Sequence, residues 1–462
     1  MFYVMKPGKT VFNRLACVFT AGLVLTGVAR AQQGGSEHDR PTNGRLDLEQ
    51  CIRIALQHNS QILISQGNVQ VSEAQAYGAM SNVLPRVNAS LLNSSRSYLA
   101  PRDVFLTDGT FFGTQPSSST NNVNLGFSLN QTLYNGGQSW NNIRQARQNL
   151  KNSEMGVENT KNLVVANVRD QYFNLLRTTR LKEVTEEQLK LNEEQLRRSQ
   201  TMYEIGSVAK VDVLQARATI GNTRISLYNQ ETQVRQAKAN LNTALGRYVN
   251  TPIEIVDIIN TDESFLPPEP IKVDEAIAIA MSDNPAIKQQ NGQITSQRIG
   301  VRVSKGALLP TISGSVSYSR RAQKFGDVYG NFSRNWTWNF GLNVSLSVLN
   351  GTQTYANIQA SQANLLNAEE SLENTKRNTV LAIKQALLGM EAAREIIQLS
   401  RENILAAEES MRLAEERYRV GSGTQLDVFT AQLSLFQAKA NLVSARYDYK
   451  ISEASLNQQL GR

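Results

Sequence analysis

The chain carries the same short motif twice, and each copy interrupts a long stretch of helical pattern. The motif reads YEIGSVAKVDVLQAR at 203–217 and YRVGSGTQLDVFTAQ at 418–432, so equivalent residues lie 215 positions apart. Glycine is common where a helix ends and the chain turns back, because it adopts a left-handed conformation without steric cost. Gly206 and Gly421 therefore predict the tips of two helical hairpins, which restricts the chain to folds built on long packed helices.

The duplication extends well beyond the two tips. LDLEQCIRIALQHN at 46–59 aligns with IKVDEAIAIAMSDN at 271–284, and the two halves end in LNTALGR and LNQQLGR. A proline-bearing segment separates the halves. The sequence thus predicts two structural repeats after a signal peptide, with these bounds: signal peptide, 1–31; first repeat, 32–247; linker, 248–270; second repeat, 271–462.

The predicted hairpins, at 138–246 and 352–460, are long. No proline interrupts the first outgoing helix, and a helix of about 65 residues measures roughly 100 Å. On the returning helices apolar residues recur every seven positions, as at Val213 and Ile220. This period is typical of helices that pack side by side as in coiled coils. The segment at about 60–84 also has a helical pattern, and we expect it to stack end to end on the returning helix.

Between the helices the apolar period changes from seven to two. WTWNFGLNVSLSV at 336–348 puts aromatic and aliphatic residues on one face and Thr, Asn and Ser on the other. A similar alternation predicts three more strands, at about 86–98, 121–133 and 311–320. A soluble sheet with one wet face alternates in the same way, but strands of 10 to 13 residues with tryptophans near one end favour a tilted membrane strand.

Four strands do not close a barrel, and open sheet edges cannot face lipid, because their backbone groups would lack hydrogen-bond partners. Other copies of the same chain would have to complete the sheet. Three copies supply twelve strands, which enclose a pore too wide for side chains to fill. The polar face of the strands would then line water.

The N-terminus predicts export. Basic residues precede an apolar run at 15–29, and Ala29 and Ala31 fit a signal cleavage site that ends at residue 31. An N-terminal membrane anchor is the alternative, although the apolar run is short for a membrane span. With the signal removed, Cys51 is the only cysteine, which excludes an intrachain disulfide.

Composition and motifs indicate no enzyme, no metal site and no cofactor. The signal's four basic residues reduce the formal charge from +8 to +4, and this weak excess does not indicate nucleic-acid binding. His38 and His58 lack metal-ligand spacing to acids or to Cys51. No glycine-rich phosphate loop and no nucleophile elbow occur in the sequence. We therefore predict no catalytic residue.

These features together resemble the outer membrane efflux protein family, whose members are TolC-like. The resemblance covers about 46–462 and includes QTLYNGG at 131–137, DQYFNLL at 170–176 and the two Tyr-x-x-Gly…Asp-Val tips. It implies a mainly α fold with a membrane β-barrel. Three chains would form a 12-stranded barrel in the outer membrane, with four strands per chain, continued through the periplasm by a long α-helical coiled-coil barrel.

The resemblance also implies a function and partners. Members are exit ducts of tripartite efflux or type I secretion systems, which passively conduct substrates from an inner-membrane pump and a periplasmic adaptor across the periplasm and the outer membrane. Two other classes stay open. An exported coiled-coil scaffold without a pore explains the heptads but leaves the alternating strands without a purpose. A general diffusion porin explains the strands but not two rods of roughly 100 Å.

By this resemblance the tips carry the functional residues. Family members receive the adaptor at the tips, which assigns docking to a small set here: Tyr203, Gly206, Ser207, Gly421, Ser422 and Gly423. The family's entrance aspartate corresponds to Asp427, and we expect Asp212 and Tyr418 beside it as hydrogen-bonding partners at a periplasmic gate. Thr430 stands in the place of a second aspartate, and Gly423 in that of an arginine that latches the tip in some members.

Overall fold

The computed structural model describes residues 45–98, 100–116, 118–257, 266–330 and 334–462. The predicted signal peptide, with Ala29 and Ala31, lies outside these residues. In the first repeat the elements are α1 (Leu48–His58), α2 (Ser60–Ala79), β1 (Arg86–Tyr98), β2 (Arg102–Phe105), β3 (Phe111–Gln115), β4 (Ser118–Asn135), α3 (Gln138–Glu204) and α4 (Lys210–Ala244). In the second repeat they are α5 (Val273–Asp283), α6 (Pro285–Gly306), β5 (Thr311–Ala322), α7 (Phe325–Gly330), β6 (Trp336–Ser345), α8 (Gln353–Arg419) and α9 (Gln425–Leu460).

The two outgoing helices dominate the molecule. α3 and α8 have 67 residues each, which corresponds to roughly 100 Å, and they return through α4 and α9 with 35 and 36 residues. Heptad positions such as Val213, Ile220 and Leu435 are buried along the returning helices. None of the described helices combines the length and the apolar character needed to cross a membrane.

The shorter helices stack end to end on the returning helices, as expected from their lengths. Asn59 precedes α2; its Oδ1 accepts from the Gln61 amide at 2.9 Å, and its Nδ2 donates to the Ala244 carbonyl at the end of α4 at 2.8 Å. Asn284 does the same between α6 and α9, and its Nδ2 donates to the Gln459 carbonyl at 2.9 Å. Each asparagine therefore caps the start of one helix and the end of another.

Gly246 and Gly461 bring these helix ends together. Both residues have a positive φ, of 75° and 78°, which ends the returning helix in a left-handed turn. A Cβ at Gly246 would lie 2.5 Å from the His58 carbonyl oxygen, and one at Gly461 would lie 2.9 Å from the carbonyl oxygen of Asp283. The repeated Leu-Gly-Arg thus has a structural reason, because only glycine permits both the turn and the close contact.

Four strands form one antiparallel sheet in the order β1-β4-β5-β6. The register gives the sheet one mainly apolar face, on which Val87, Leu129, Val316 and Phe340 lie side by side. The apolar face is exposed, with Phe340 at 76% of its full accessibility. The predicted mainly α fold with four strands in the sheet of each chain is confirmed.

The ends of the sheet differ from the prediction. β6 ends at Ser345, three residues before the predicted end at 348, because Ser345 pairs with Thr311 and Pro310 has no amide hydrogen to continue the ladder. β4 is longer than predicted and reaches from Ser118 to Asn135. The connection between β1 and β4 contains the β2–β3 hairpin, and the connection between β5 and β6 contains α7. These elements of four to six residues are too short to show a period.

Two equivalent cores hold the helices together halfway along the molecule. In the first repeat Cys51 and Ala55 of α1 are fully buried against α3 and α4, and in the second Ala276 and Ala280 of α5 pack against α8 and α9. The DQYFNLL segment contributes Tyr172, which is fully buried. The motif that carried the family resemblance is therefore part of a core.

The linker is fixed to both cores by hydrogen bonds. The Tyr172 hydroxyl donates to the Val256 carbonyl, and the Tyr449 hydroxyl donates to the Pro268 carbonyl at 2.9 Å. Arg180 contacts the carboxylate of Asp257 at 2.8 Å. The described parts of the linker are thus bound to the helical body.

Candidate functional site: the two hairpin tips

The two tips have the same backbone structure. At the first tip the Gly206 amide donates to the Tyr203 carbonyl at 2.9 Å, and the Ser207 amide donates to Met202 at 2.8 Å. At the second, Gly421 and Ser422 make the equivalent bonds at 3.1 and 2.9 Å. This is the Schellman pattern, in which a left-handed residue ends a helix. The φ values of 77° and 76° explain why both tips need glycine.

The tip glycines stand in open space. Apart from the glycine itself and its two chain neighbours, no residue places an atom within 4 Å of a Cβ built at either Gly206 or Gly421. Gly423 differs, because its φ is not positive and a Cβ there would lie 3.0 Å from the Cβ of Arg417. Its amide donates to the Arg417 carbonyl, also at 3.0 Å. The positive φ therefore favours glycine at positions 206 and 421, whereas close packing against Arg417 favours glycine at position 423.

Asp427 belongs to a capping box at the start of α9. Its carboxylate accepts from the Thr424 amide at 2.9 Å and from the Thr424 hydroxyl at 2.8 Å, while its own amide donates to that hydroxyl at 3.3 Å. The backbone amide of Thr424, and then its hydroxyl, lower the pKa of the Asp427 carboxyl group. The side chain is exposed, so its charge faces solvent within the single chain. Thr430 follows one turn later, and its hydroxyl donates to the Leu426 carbonyl at 2.8 Å.

Asp212 occupies the equivalent place at the first tip without a capping box. It is the third residue of α4, but the residue before that helix is Ala209, which has no side chain to cap it. Thr424 supplies this cap at the second tip. The two returning helices therefore begin with the same acid at the same position but in different hydrogen-bonding surroundings.

Tyr418 lies between the two hairpins. Burial raises the pKa of its hydroxyl; the Ser199 side chain lowers this pKa in part, and the negative charge of Asp212, on the other hairpin, raises it again. The structure thus brings these two predicted gate residues into one neighbourhood. The Tyr418 hydroxyl is buried and its nearest polar neighbour is the Ser199 side chain, so among the described residues it makes no hydrogen bond to Asp212. The equivalent Tyr203 is 44% exposed.

A groove of about 660 Å³ runs between the two outgoing helices close to the tips. Its walls are amphipathic, because arginines and glutamates line it together with Met202 and Val428. The remaining lining residues are Gln195, Arg197, Arg198, Thr201, Glu415, Glu416, Tyr418 and Arg419. Such a groove offers both apolar and charged contacts to a partner.

A buried polar seam lies behind the groove, and it was not predicted from the sequence. The Gln425 Nε2 atom donates to the Ser199 hydroxyl at 3.0 Å, and Asn192 donates to the Thr223 hydroxyl at 2.9 Å. All four side chains are buried. A signal was present, because Asn192 and Ser199 are seven residues apart where an apolar residue is typical. Buried polar residues at such positions reduce stability and favour one helix register.

Within the described ranges, no group of three or more His, Cys, Asp or Glu residues could hold a metal ion. Cys51 lies far along the chain in the first core, where burial raises the pKa of its thiol to about 12. A thiol with that pKa is a packing group rather than a nucleophile.

Comparisons with known proteins agree with this architecture. The family model of the outer membrane efflux proteins matches residues 51–247 and 276–462. The chain is similar to the outer membrane efflux protein BepC of Brucella suis biovar 1 (strain 1330), with 27% identity over 356 residues, covering 75% of this chain and 67% of the relative. It is similar to the pyoverdine export outer membrane protein OpmQ of Pseudomonas aeruginosa, with 24% identity over 314 residues, covering 66% and 62%.

The fold is also that of solved channels. The chain superposes on a crystal structure of CusC with a TM-score of 0.78 and 21% identity, covering 89% of this chain and 91% of that chain. A CusC of Escherichia coli O157:H7, 22% identical over 253 residues that are 53% of this chain and 52% of the relative, is named a cation efflux system protein. The expected TolC-like fold and the expected outer-membrane efflux class are therefore confirmed. The chain belongs to the outer membrane efflux protein family.

Proposed function

We propose that the protein is the outer-membrane exit duct of a tripartite efflux or type I secretion system. It conducts substrates passively, and its energy comes from an inner-membrane pump. One observation carries the proposal: a sheet with an exposed apolar face and a polar face lies at the end of two helical hairpins of roughly 100 Å. The sheet suits a membrane, and the hairpins have the length to reach deep into the periplasm.

A homotrimer follows from the edges of the sheet. β1 and β6 are the two edge strands, and each pairs on one side only. Unpaired backbone groups are costly in lipid, so these edges need partners. Three chains joined β6 to β1 give a closed 12-stranded barrel, in which the apolar face contacts outer-membrane lipid and the polar face lines the pore.

The tips supply the docking surface and the gate. The groove beside Met202 and Tyr418 has the mixed character of a site for an amphipathic helix, which fits a hairpin of a periplasmic adaptor. The docking residues are those of the two Schellman turns, around Gly206 and Gly421. Asp427, with Thr430 one turn away, forms the gate when three copies converge at the periplasmic entrance.

The test begins with purification from outer-membrane fractions. We expect heat-resistant trimers that form ion channels in planar bilayers. A soluble periplasmic monomer would favour the scaffold without a pore. A trimer that restores general permeability in cells lacking the adaptor and the pump would favour the diffusion porin. Deletion of the adaptor gene should abolish export while leaving the trimer in the membrane.

A further inference from the structure

We propose that the barrel prefers anions, and that the cargo of the duct is an anionic organic solute rather than a free metal cation. The inference rests on the proposed function, because it takes the polar face of the sheet to line the pore. It concerns a feature that the fold alone does not require: the charge carried by that face.

Three arginines lie on the polar face of the sheet. Arg86 pairs with Asn130, Arg96 pairs with Thr120, and both belong to the β1–β4 ladder. Arg321 of β5 pairs with Asn124. Since Thr120, Asn124 and Asn130 are separated by even numbers of residues on β4, their partners project to the same face. The side chains of all three arginines are exposed.

No acid balances these arginines within the sheet. The sequences of β1, β4, β5 and β6 contain neither aspartate nor glutamate. The rest of the polar face consists mainly of neutral hydrogen-bonding residues, as in the row Asn88, Ser128, Ser317 and Asn339. The nearest acids in sequence to Arg96 and Arg321 are Asp103 in β2 and Asp327 in α7, outside this sheet.

The arginines are spread along the whole strand. The β4 partner of Arg86 is Asn130. The β4 partners of Arg321 and Arg96, which are Asn124 and Thr120, lie six and ten residues before Asn130. At about 3.4 Å per residue these offsets are roughly 20 and 34 Å. Three copies of the chain would therefore place three rings of guanidinium groups along the pore. Between low-dielectric walls such rings raise the local concentration of anions and lower that of cations.

This arrangement distinguishes between classes of cargo. A free divalent cation would have to pass three positive rings with no carboxylate to compensate. An organic anion would instead meet arginines, which bind carboxylates and phosphates through paired hydrogen bonds. The Ser and Asn side chains around them can form hydrogen bonds with the hydroxyl groups of such a molecule. The barrel therefore suits carboxylated or phosphorylated organic solutes.

The test measures ion selectivity of purified trimers in planar bilayers. Asp427→Asn is used as the background, so that the acidic entrance does not mask the barrel. Under an approximately tenfold KCl gradient at about 0.1 M or below, where the Debye length is about 10 Å or more, we expect chloride to be more permeant than potassium. Replacing Arg86, Arg96 and Arg321 together by Gln should lower the chloride-to-potassium permeability ratio by at least about twofold. Replacing the same three residues by Lys keeps the charge and should preserve the ratio.

Organic ions extend the test to the cargo class. Glutamate should be more permeant than tetraethylammonium in the Asp427→Asn background, and the three Gln substitutions should remove this difference. Channels whose selectivity is unchanged by the Gln substitutions would overturn the inference while leaving the duct intact. Folded trimers that form no channel at all would instead contradict the proposed function. Heat-resistant trimers of every variant show that the barrel has assembled.

Discussion

At Asn59 and Asn284 a single side chain serves two helices at once, and this makes both residues sensitive positions. Each amide caps the helix that follows it and also satisfies a carbonyl at the end of a returning helix. Both asparagines are buried. Losing the second bond leaves a carbonyl oxygen without its partner in the interior, which typically costs about 1–3 kcal/mol.

The first prediction separates these two tasks. Asn59→Ser keeps a hydroxyl that can cap α2 but does not reach Ala244, whereas Asn59→Ala removes both interactions. We expect the serine variant to lose about 1–3 kcal/mol in free energy of unfolding and the alanine variant about 1 kcal/mol more. Denaturant titration of the purified protein measures both, and the same pair at Asn284 is the matched control. Equal stabilities of wild type and the serine variant would show that the amide bond to Ala244 contributes nothing.

The second prediction separates the charge of Asp427 from its capping role. Asp427→Asn keeps an oxygen that can accept from the Thr424 amide but removes the charge, so cation selectivity at the entrance and block by multivalent cations should be lost. Thr424→Ala has the opposite effect, because it removes the capping hydroxyl and leaves the charge. Single-channel recordings should therefore show altered selectivity for the first variant only. Persistent cation block in Asp427→Asn would mean that Asp427 is only a helix cap.

The pH dependence of this selectivity follows from the same hydrogen bonds. Because they lower the pKa of Asp427 from its ordinary value of 3.8, the carboxylate stays charged below the usual range. The predicted cation selectivity, and the capping contribution to stability, should therefore be complete above the ordinary pKa and decrease as the pH falls through the lowered one. Recordings of wild type and of Thr424→Ala at falling pH check this. Without the cap, selectivity should be lost at a higher pH than in the wild type.

At the scale of the elements, the long helices, the strands of the sheet and the helix ends could be predicted from the sequence. The polar contacts between neighbouring helices near the tips could not. The seven-residue and two-residue periods identified the long helices and the four strands of the sheet, because burial on one face repeats over many residues. Gly206 and Gly421 marked the helix ends, because no other residue favours their φ. The polar seam around Gln425 and Ser199 escaped prediction, since it depends on which helices of the two hairpins become neighbours.

The tip glycines give the third prediction. A bulky residue at Gly206 or Gly421 would be strained by the positive φ, and its side chain would project into the open space around the tip. We expect a tryptophan at either position to abolish transport while trimers still form. Gly421→Asn is the control, because asparagine tolerates the left-handed conformation better and is small. Normal export by the tryptophan variants would show that the adaptor docks elsewhere.

At the scale of the whole molecule, the sheet and the hairpin tips lie at opposite ends of the long helices. The connection between β1 and β4 and the connection between β5 and β6 join strands at the end of the sheet away from the helices. If the sheet spans the outer membrane, these connections lie outside the cell. Their exposed β2–β3 hairpin, with Phe111 and Phe112 at 59% and 72% exposure, would then be a surface feature of the bacterium.

An inserted epitope tests this topology. Placed near Ser118, at the start of β4, it should be accessible to antibody on intact cells if the connection between β1 and β4 lies outside the cell. The same epitope after Tyr248, an exposed residue of the linker, should be detected only when the outer membrane is permeabilised. The opposite pattern would mean that the molecule is inserted the other way around.

The difference between the two returning helices has a consequence for stoichiometry. Helix α9 begins with the Thr424–Asp427 capping box. Helix α4 begins after Ala209 without a side-chain cap, so its Asp212 takes part in no capping box. In the proposed trimer the entrance would present six hairpin tips in two alternating kinds. A partner with six identical subunits would meet two chemically distinct binding sites, three of each, and its binding isotherm would have two classes of affinity rather than one.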